Sequence, residues 1–116
     1  MKSYTSIEQS KKLADILPLE SADMCYRIVA YNSNDTHQYK PYCFAKTLES
    51  DIPCWSLAAL LNVIKPINEN TYTIRGTLDG GAIISFNEAT SVTFQEEEII
   101  DAVFEMVVWL KENNKI

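Results

Sequence analysis

The sequence predicts an α+β fold in which a small antiparallel sheet, built from two hairpins, packs against helices that include a long C-terminal one. Two patterns support this prediction. Residues 93–114 repeat apolar side chains with a helical period, and residues 71–78 alternate polar and apolar side chains as a half-buried strand does. The order along the chain is helix, two strands, helix, two strands, helix, which is typical of this class. At this length, we expect residues 1–116 to form a single domain.

The C-terminal helix is predicted to run from Thr93 to Asn114. Thr93 followed three residues later by Glu96 matches a capping box, which marks a helix start. A broad apolar face covers more than half of the circumference and consists of Ile99, Ile100, Val103, Phe104, Met106, Val107, Val108 and Leu110. A surface helix needs only about a 100° apolar stripe. We therefore expect this helix to be the most buried one, with Val103 and Val107 in the core.

A shorter helix is predicted near the N-terminus. Thr5 and Glu8 have the spacing of a second capping box, and Pro18 ends the helix after about Leu17. Its apolar positions form only a modest stripe, so one face of this helix should pack inward while the other meets solvent.

The first hairpin is predicted from two less regular strands. Residues 24–31 are rich in aromatic and β-branched side chains, and a cluster of turn residues follows them. Residues 38–46 would form the returning strand. Pro41 restricts this strand to a sheet edge, because proline cannot donate a ladder hydrogen bond.

A second helix is predicted from Asp51 to Ile64, with Asp51 as its N-cap and Pro53 tolerated in its first turn. From Trp55 onward, the only polar residues of this segment are Ser56 and Asn62. A segment this apolar is expected to lie in the core, and it is too short to span a membrane.

The second hairpin is predicted to turn at Asp79-Gly80-Gly81. A three-residue loop there pairs Leu78 with Ala82 and places the apolar side chains of both strands on one face. A two-residue loop would place them on opposite faces, because a one-residue slip inverts every side chain. We therefore expect a glycine of this loop to have a positive φ angle. Residues 87–92 either extend this sheet or lead directly to the last helix.

The net charge of −6 is unevenly distributed over a chain of otherwise ordinary globular composition. Residues 87–116 hold seven acidic and two basic side chains, and the rest of the chain is close to neutral. This balance argues against direct binding to nucleic acid, which requires clusters of Lys and Arg. It suits a basic protein partner, or it serves only to keep the protein soluble.

The sequence also predicts a location. The polar N-terminus does not resemble a signal peptide, and no apolar run approaches the length of a membrane span. The three cysteines are an odd number and are scattered, which favours free thiols in a reducing compartment. We therefore expect a cytoplasmic protein that does not enter a membrane.

Reactive or metal-binding side chains give only weak signals. A Cys3His zinc site would draw on Cys25, His37, Cys43 and Cys54, but no two of these form the close pair that structural zinc sites use. The sharpest enzymatic interpretation makes Cys54 a nucleophile with His37 as its base, because a thiolate just before a helix would be stabilised. Gly80-Gly81 lacks the helix and lysine of a phosphate-binding loop. The sequence thus predicts no metal, no cofactor and no catalytic residue.

Trp109 stands out in the C-terminal helix, because it lies on the narrow polar strip and not on the apolar face. Tryptophan is enriched at protein interfaces. We therefore predict an interaction surface on this strip, formed by Glu98, Asp101, Ala102, Glu105, Trp109 and Glu112. Ala102 would leave a shallow place where another chain approaches, and a homodimer is one such arrangement. In the alternative, residues 1–4 fold over the indole and Lys2 pairs with a nearby acid.

Three segments of the chain resemble a known family: YTSIEQSKKL at residues 4–13, DIPCWSLAALL at residues 51–61 and DAVFEMVVWLKENNK at residues 101–115. The family consists of short bacterial proteins that occur in prophages and conjugative elements and have no known activity. The similarity extends along nearly the whole chain and is weakest at residues 32–46. It implies a cytoplasmic accessory protein of a mobile element and supports the three helices, but it assigns no ligand or catalytic residue.

The preferred functional interpretation is a small, non-enzymatic module that binds another protein through the acidic strip around Trp109. The first alternative is an enzyme that uses Cys54 as its nucleophile. The second alternative is an acidic mimic of nucleic acid, which would require carboxylates spaced like phosphates over an extended surface.

Overall fold

A computed structural model describes residues 2–32, 34, 37–64, 73–76, 78, 81–87, 90–96 and 98–114. In chain order the elements are α1 (Ile7–Ala14), a 3-10 turn (Leu19–Ser21), β1 (Met24–Ala30), β2 (Gln38–Tyr42), β3 (Ile52–Cys54), α2 (Leu57–Ile64), β4 (Thr73–Gly76), β5 (Ala82–Asn87), β6 (Thr90–Phe94) and α3 (Ile99–Glu112). The α+β class and the long C-terminal helix are therefore confirmed.

The strands form two antiparallel sheets of three strands each, in the orders β2-β1-β3 and β4-β5-β6. The two predicted hairpins are the pairs β1-β2 and β4-β5, and each gains a third strand. β3 occupies the beginning of the predicted second helix. β6 shows that the segment after β5 extends the sheet before the chain enters α3.

The second helix begins later than predicted, at Leu57 instead of Asp51. Asp51 is not an N-cap, because both of its carboxylate oxygens accept hydrogen bonds from Arg27. Ser56 takes the capping role, since its hydroxyl accepts a hydrogen bond from the backbone N–H of Ala59 at 3.1 Å. The Asp51 side chain therefore pairs with Arg27 and does not cap the helix.

The capping box of α1 is formed one residue later than predicted, by Ser6 and Gln9. Thr5 is instead fully buried, and its hydroxyl lies 2.7 Å from that of Ser10. The predicted cap of the C-terminal helix is also wrong. Thr93 pairs with a residue of β5 inside β6, so that α3 begins only at Ile99.

The second hairpin has a longer loop than predicted. Gly76 pairs with Ala82, so residues 77–81 connect β4 to β5. The register differs from the predicted one by two residues, and such a shift preserves which side chains share a face. Residues 79 and 80 of the predicted turn lie outside the described part of the chain, so the positive φ angle stays a prediction.

The core is built around α3. Seven of its residues are buried, namely Ile100, Ala102, Val103, Met106, Val107, Val108 and Leu110. Val103 and Val107 are 2% and 0% exposed, as predicted. They belong to one apolar cluster with Leu13 of α1, Leu60 of α2 and the fully buried Trp55. α3 buries more residues than either other α-helix of the described chain.

The N-terminal segment ties the first sheet to the helices. Tyr4 forms an antiparallel bridge with Ser56, so the start of the chain runs alongside the start of α2. The Thr5 hydroxyl accepts a hydrogen bond from the N–H of Trp55 at 3.2 Å, and the Thr5 carbonyl accepts one from the Tyr26 hydroxyl at 2.6 Å. Among the described residues, no buried polar side-chain atom lacks a partner, so this junction is fully satisfied.

Candidate functional site

The predicted interaction surface lies on α3, but one of its six residues does not reach the surface. Ala102 is fully buried in the main apolar cluster. This contradicts the prediction that Ala102 leaves room for another chain. The reason is packing: on a helix that is enclosed on most sides, a methyl group lies where a neighbouring element comes closest. The small side chain therefore marks an internal contact.

Asp101 is already paired within the chain. Its carboxylate accepts hydrogen bonds from the Lys2 ammonium at 2.6 Å and from the Gln9 amide at 2.8 Å. Burial raises the pKa of Asp101, but these two hydrogen bonds and the Lys2 charge outweigh it, and the net shift is downward. The pairing of Lys2 with an acid of the strip, which was the alternative arrangement, is thus present.

Trp109 is half-buried on the same helix. Its ring meets that of Phe94, the last residue of β6, edge to face, with 6.4 Å between the ring centroids. This contact fixes one side of the indole, and part of the side chain still meets solvent. The residue therefore has both features of an interface anchor, a fixed orientation and an accessible surface.

Three carboxylates remain on the outer side of α3, and together with Trp109 they are called the outer strip: Glu98, Glu105 and Glu112. Glu98 is half-buried at the N-cap, whereas Glu105 and Glu112 are exposed. Partial burial is the largest cause of the raised pKa of Glu105, and the nearby Glu96 adds a hydrogen bond and like-charge repulsion. A cation that approached these carboxylates would relieve the repulsion.

Cys54 does not have the surroundings of a nucleophile. It lies in β3, is fully buried, and donates a hydrogen bond to the Thr5 carbonyl at 3.5 Å. Burial raises the pKa of the Cys54 thiol by more than the hydrogen bonds from Thr5, Ser10 and Tyr26 lower it. A catalytic thiol needs the opposite shift. Cys54 does lie shortly before α2, but burial of its thiol opposes the thiolate that this alternative requires.

His37 also lies far from Cys54. Its Nδ1 accepts a hydrogen bond from the backbone N–H of Asn32 at 3.3 Å, and its ring packs against Tyr31. Cys54 pairs with Met24 at one end of β1, whereas His37 follows the loop at the other end. At about 3.3 Å per residue, the two ends of β1 are roughly 20 Å apart. The two side chains therefore do not form an acid-base pair.

The four residues of the Cys3His alternative are dispersed. Cys25 and Cys54 lie on adjacent strands with their side chains on opposite faces, because Cys54 pairs with the neighbour of Cys25. Cys43 is exposed, and all three thiols are free, as predicted. In the ranges that the structure describes, no three His, Cys, Asp or Glu side chains are grouped so that they could hold a metal ion.

No sequence pattern indicates the ion pair of the buried Asp51 with Arg27. The Arg27 guanidinium donates two hydrogen bonds to this carboxylate, at 3.0 and 2.8 Å, and rests 5.0 Å from the centroid of the Phe44 ring. The backbone N–H groups of Thr47 and Leu48 bind the same carboxylate. The Arg27 hydrogen bonds are the largest cause of the strongly lowered pKa of Asp51. This cluster fixes the loop between β2 and β3, which is a structural role.

The outer face of α2 was also missed, although the sequence carried a signal for it. The helix has no charged residue, and this pattern predicts a helix that lies in the core. Ala58, Leu61 and Asn62 are nevertheless exposed, and a groove lies on each side of them. An uncharged helix therefore presents a second candidate surface, distinct from the outer strip of α3.

No protein-family model, curated protein or solved structure matches the chain. The resemblance to the short proteins of prophages and conjugative elements therefore stays a prediction, and no residue role is taken from a relative. Among the helices of the described residues, none combines the length and the apolar character that crossing a membrane requires.

Proposed function

We propose that this chain is a small, non-enzymatic module that binds a basic protein partner through the outer strip of α3. The observation that carries the proposal is a half-buried tryptophan beside three carboxylates that form no ion pair with a described residue. No ion pair of the described residues involves Glu98, Glu105 or Glu112, whereas Asp101 is taken by Lys2. A cationic partner would therefore meet these carboxylates without breaking an ion pair to a described residue, and at Glu105 it would relieve the repulsion from Glu96.

The spacing on the helix suits a cationic side chain. Glu105 lies four residues before Trp109 and Glu112 lies three residues after it, so both flank the indole on one face. A Lys or Arg side chain placed over the indole would gain a cation–π interaction and a carboxylate on each side. Tryptophan and arginine are also the residues most often found at the energetic centres of interfaces.

Charge distribution supports the same partner. Five of the six net negative charges belong to residues 87–116, which include the whole of α3. A field concentrated on one part of the surface speeds the encounter with a basic protein and discourages acidic ones. The resemblance adds the expectation that the module is a cytoplasmic accessory protein of a mobile element. Mimicry of nucleic acid has less support, because the described part of α3 offers a single row of carboxylates where mimicry needs two.

The test begins with affinity capture from the native host, using three baits: wild type, Trp109→Ala and Tyr31→Ala. Tyr31 is an exposed aromatic residue outside α3 and is the matched control. We expect a basic protein that is retained by wild type and by Tyr31→Ala, is lost with Trp109→Ala, and is released as the salt concentration rises.

A fluorescence titration with the purified partner then measures affinity. Trp55 is fully buried, so a change in the protein's own emission on binding reports mainly on Trp109. Trp109→Phe should remove most of this change. We expect Trp109→Ala to weaken binding about 30-fold or more, as for a typical hot-spot residue. Binding that survives both Trp109→Ala and Glu105→Lys, or that does not depend on salt, would contradict the proposal.

A further inference from the structure

The three carboxylates of the outer strip follow one another at intervals of seven residues. Glu98 is the N-cap of α3, Glu105 lies in the middle of the helix and Glu112 is its last residue. Seven residues make just under two helical turns, so each carboxylate lies about 10.5 Å further along the axis and only about 20° further around it. The three acids therefore form a nearly straight line of about 21 Å along the whole of α3.

A cation is already bound beside this line. Asp101 lies one turn after Glu98 and one turn before Glu105. Its carboxylate accepts a hydrogen bond from the Lys2 ammonium at 2.6 Å, and the side-chain oxygen of Gln9 accepts a second one at 3.1 Å. This face of α3 therefore accommodates a lysine side chain of its own chain. The line of glutamates continues beyond that lysine with carboxylates that form no ion pair with a described residue.

We propose that the basic partner presents an α-helix to the outer strip, with Lys or Arg at every seventh position along one side. This inference rests on the proposed binding role of the strip and specifies which kind of segment the strip binds. Two helices that cross at about 20° stay in contact over several turns, and a seven-residue repeat on one helix continues to face a seven-residue repeat on the other. Three cations of the partner would then meet Glu98, Glu105 and Glu112 in turn.

An extended segment does not fit this line of carboxylates. A β-strand rises about 3.3 Å per residue, so its next matching side chain would be three residues away, and residues three apart point to opposite faces. A polyproline II segment keeps every third residue on one side, but its repeat is only about 9.3 Å. Over the length of the strip, such a segment falls about 2 Å out of register with the carboxylates. An α-helix keeps the same spacing throughout.

Trp109 adds an apolar contact between the second and third carboxylates of the line. It lies four residues after Glu105 and three residues before Glu112, and the ring of Phe94 fixes one side of its half-buried indole. Exposed ion pairs alone contribute little to binding, whereas an aromatic side chain that a partner covers contributes much more. We therefore expect a large apolar residue of the partner helix to cover the part of the indole that its cations leave exposed.

Synthetic peptides test the inference without the natural partner. The heptad probe is a peptide of about 20 residues, built of Ala and Gln, with three lysines at intervals of seven and one leucine between the second and third. A spacing control has the same composition, but its lysines are five residues apart, which places them on different sides of the helix. A conformation control keeps the heptad order but replaces two alanines by proline, which prevents helix formation. Each peptide is titrated into the full chain, and the change in tryptophan emission reports its affinity.

We expect the heptad probe to bind about five- to tenfold more tightly than either control, because only its cations reach all three carboxylates at once. Its circular dichroism should also show added helix on binding, since an isolated peptide of this length is only partly helical. Trp109→Ala should weaken the binding of the heptad probe, because the leucine then has no indole to cover.

A charge exchange tests the alignment of the two helices. The middle lysine of the probe faces Glu105 whether the helices run parallel or antiparallel. Glu105→Lys should therefore weaken the binding of the heptad probe about tenfold, and a probe whose middle lysine is replaced by glutamate should recover most of the loss. Glu49→Lys is the matched control, since Glu49 is an exposed acid of the loop between β2 and β3. It changes the net charge equally and should have a much smaller effect.

The outcomes separate this inference from the proposed function. A heptad probe that binds no better than the two controls, or that does not bind at all, overturns the helical partner. Affinity capture then tests the binding role of the outer strip: a basic protein that is retained through Trp109 supports that role, and the absence of one overturns it as well. If the charge exchange at Glu105 gives no recovery while circular dichroism shows a folded variant, the proposed alignment is also overturned.

Discussion

The two ion pairs of the described chain, Arg27–Asp51 and Lys2–Asp101, join the same kinds of groups in different surroundings. Their shortest distances are 2.8 and 2.6 Å, so distance alone would rank Lys2–Asp101 first. When the acidic side chains of the two pairs are ranked by burial, Arg27–Asp51 comes first. The Asp51 side chain is fully enclosed, whereas the side chains of Asp101 and Lys2 keep 24% and 31% of their surface.

This difference in burial determines how much stability each region loses when its ion pair is removed. A buried carboxylate that loses its partners leaves an uncompensated charge or unsatisfied donors, which costs several kcal/mol. A pair that water can reach is screened and contributes little. The loop between β2 and β3 therefore depends on Asp51, while the N-terminal segment has its main attachment in the buried bonds of Thr5 and not in Lys2.

The largest expected effect comes from Asp51→Ala. This change leaves the Arg27 guanidinium and two backbone N–H groups without their acceptor. We expect the free energy of unfolding to fall by about 1–3 kcal/mol, measured by urea denaturation, because two N–H groups lose their acceptor while the partly exposed Arg27 side chain can still reach water. Glu49→Ala is the matched control, because Glu49 is an exposed acid of the same loop, and it should change stability by less than about 0.5 kcal/mol. Similar losses in both variants would show that the ion pair has no special role.

The pH dependence of the Asp51 contribution follows from the direction of its pKa shift. The folded-state pKa lies below the unfolded value of about 3.9. The stabilisation is therefore fully present above that unfolded pKa and is lost as the pH falls toward the folded pKa. The difference in unfolding free energy between wild type and Asp51→Asn should be constant from about pH 7 to 5 and should shrink below about pH 4. A difference that grew on acidification would contradict the assigned shift.

Lys2→Ala should have a smaller effect, since its ion pair is partly exposed. We expect a loss of less than about 1 kcal/mol in the free energy of unfolding, and about 0.5 M NaCl should reduce that loss further. Lys12→Ala is the control, because Lys12 is exposed on α1 and forms no ion pair in the described chain. If Lys2→Ala cost as much as Asp51→Ala, burial would not be the property that separates the two pairs.

The smallest expected effect is functional and rests on the proposed binding role of α3. Lys2→Ala removes the ammonium that neutralises Asp101, which keeps its hydrogen bond from Gln9, and leaves one more uncompensated negative charge beside the outer strip. We expect a basic partner to bind about two- to fivefold more tightly, which corresponds to one exposed charge interaction. Lys12→Ala removes the same charge at a distance, so the difference between the two variants in a fluorescence titration isolates the local effect. Equal affinities would place the partner away from Asp101.

The sequence predicted the parts of the fold that depend on periodicity. The apolar repeat of α3 identified Val103 and Val107 as core residues, and the first strand was predicted to within one residue of its observed end at Ala30. These signals are reliable because each buried face needs apolar side chains at fixed intervals along its own segment.

The predicted helix starts failed because local patterns were ambiguous. Thr5-Glu8 and Ser6-Gln9 both fit a capping box, and the choice between them is made by the contact of Thr5 with Trp55, which lies 50 residues away. Thr93 fits a cap equally well, but pairing with β5 places it in a strand. Tertiary contacts therefore determine where each helix starts, and a short sequence motif does not contain that information.

The candidate site was predicted in outline only. The polar strip of α3 identified Trp109 and its flanking carboxylates, but it could not show that Lys2 neutralises Asp101 or that Ala102 is buried. The sequence shows that α2 has no charged residue. Whether the outer face of this helix is exposed, however, depends on where the neighbouring elements end. A helix without charge has the same sequence pattern whether its last face is covered by its own chain or by another one.

The contacts of the first residues also determine when the protein finishes folding during its synthesis. Thr5 completes its hydrogen bonds only after Trp55 has been synthesised. Lys2 can pair with Asp101 only later, because Asp101 follows it by 99 residues. At about 5–20 residues per second, a ribosome needs roughly 5–20 s for those 99 residues. During this interval Leu13, the buried apolar residue of α1, has no finished core to enter. Residues 2–5 are thus translated before the residues that hold them, and they are among the last to reach their final place.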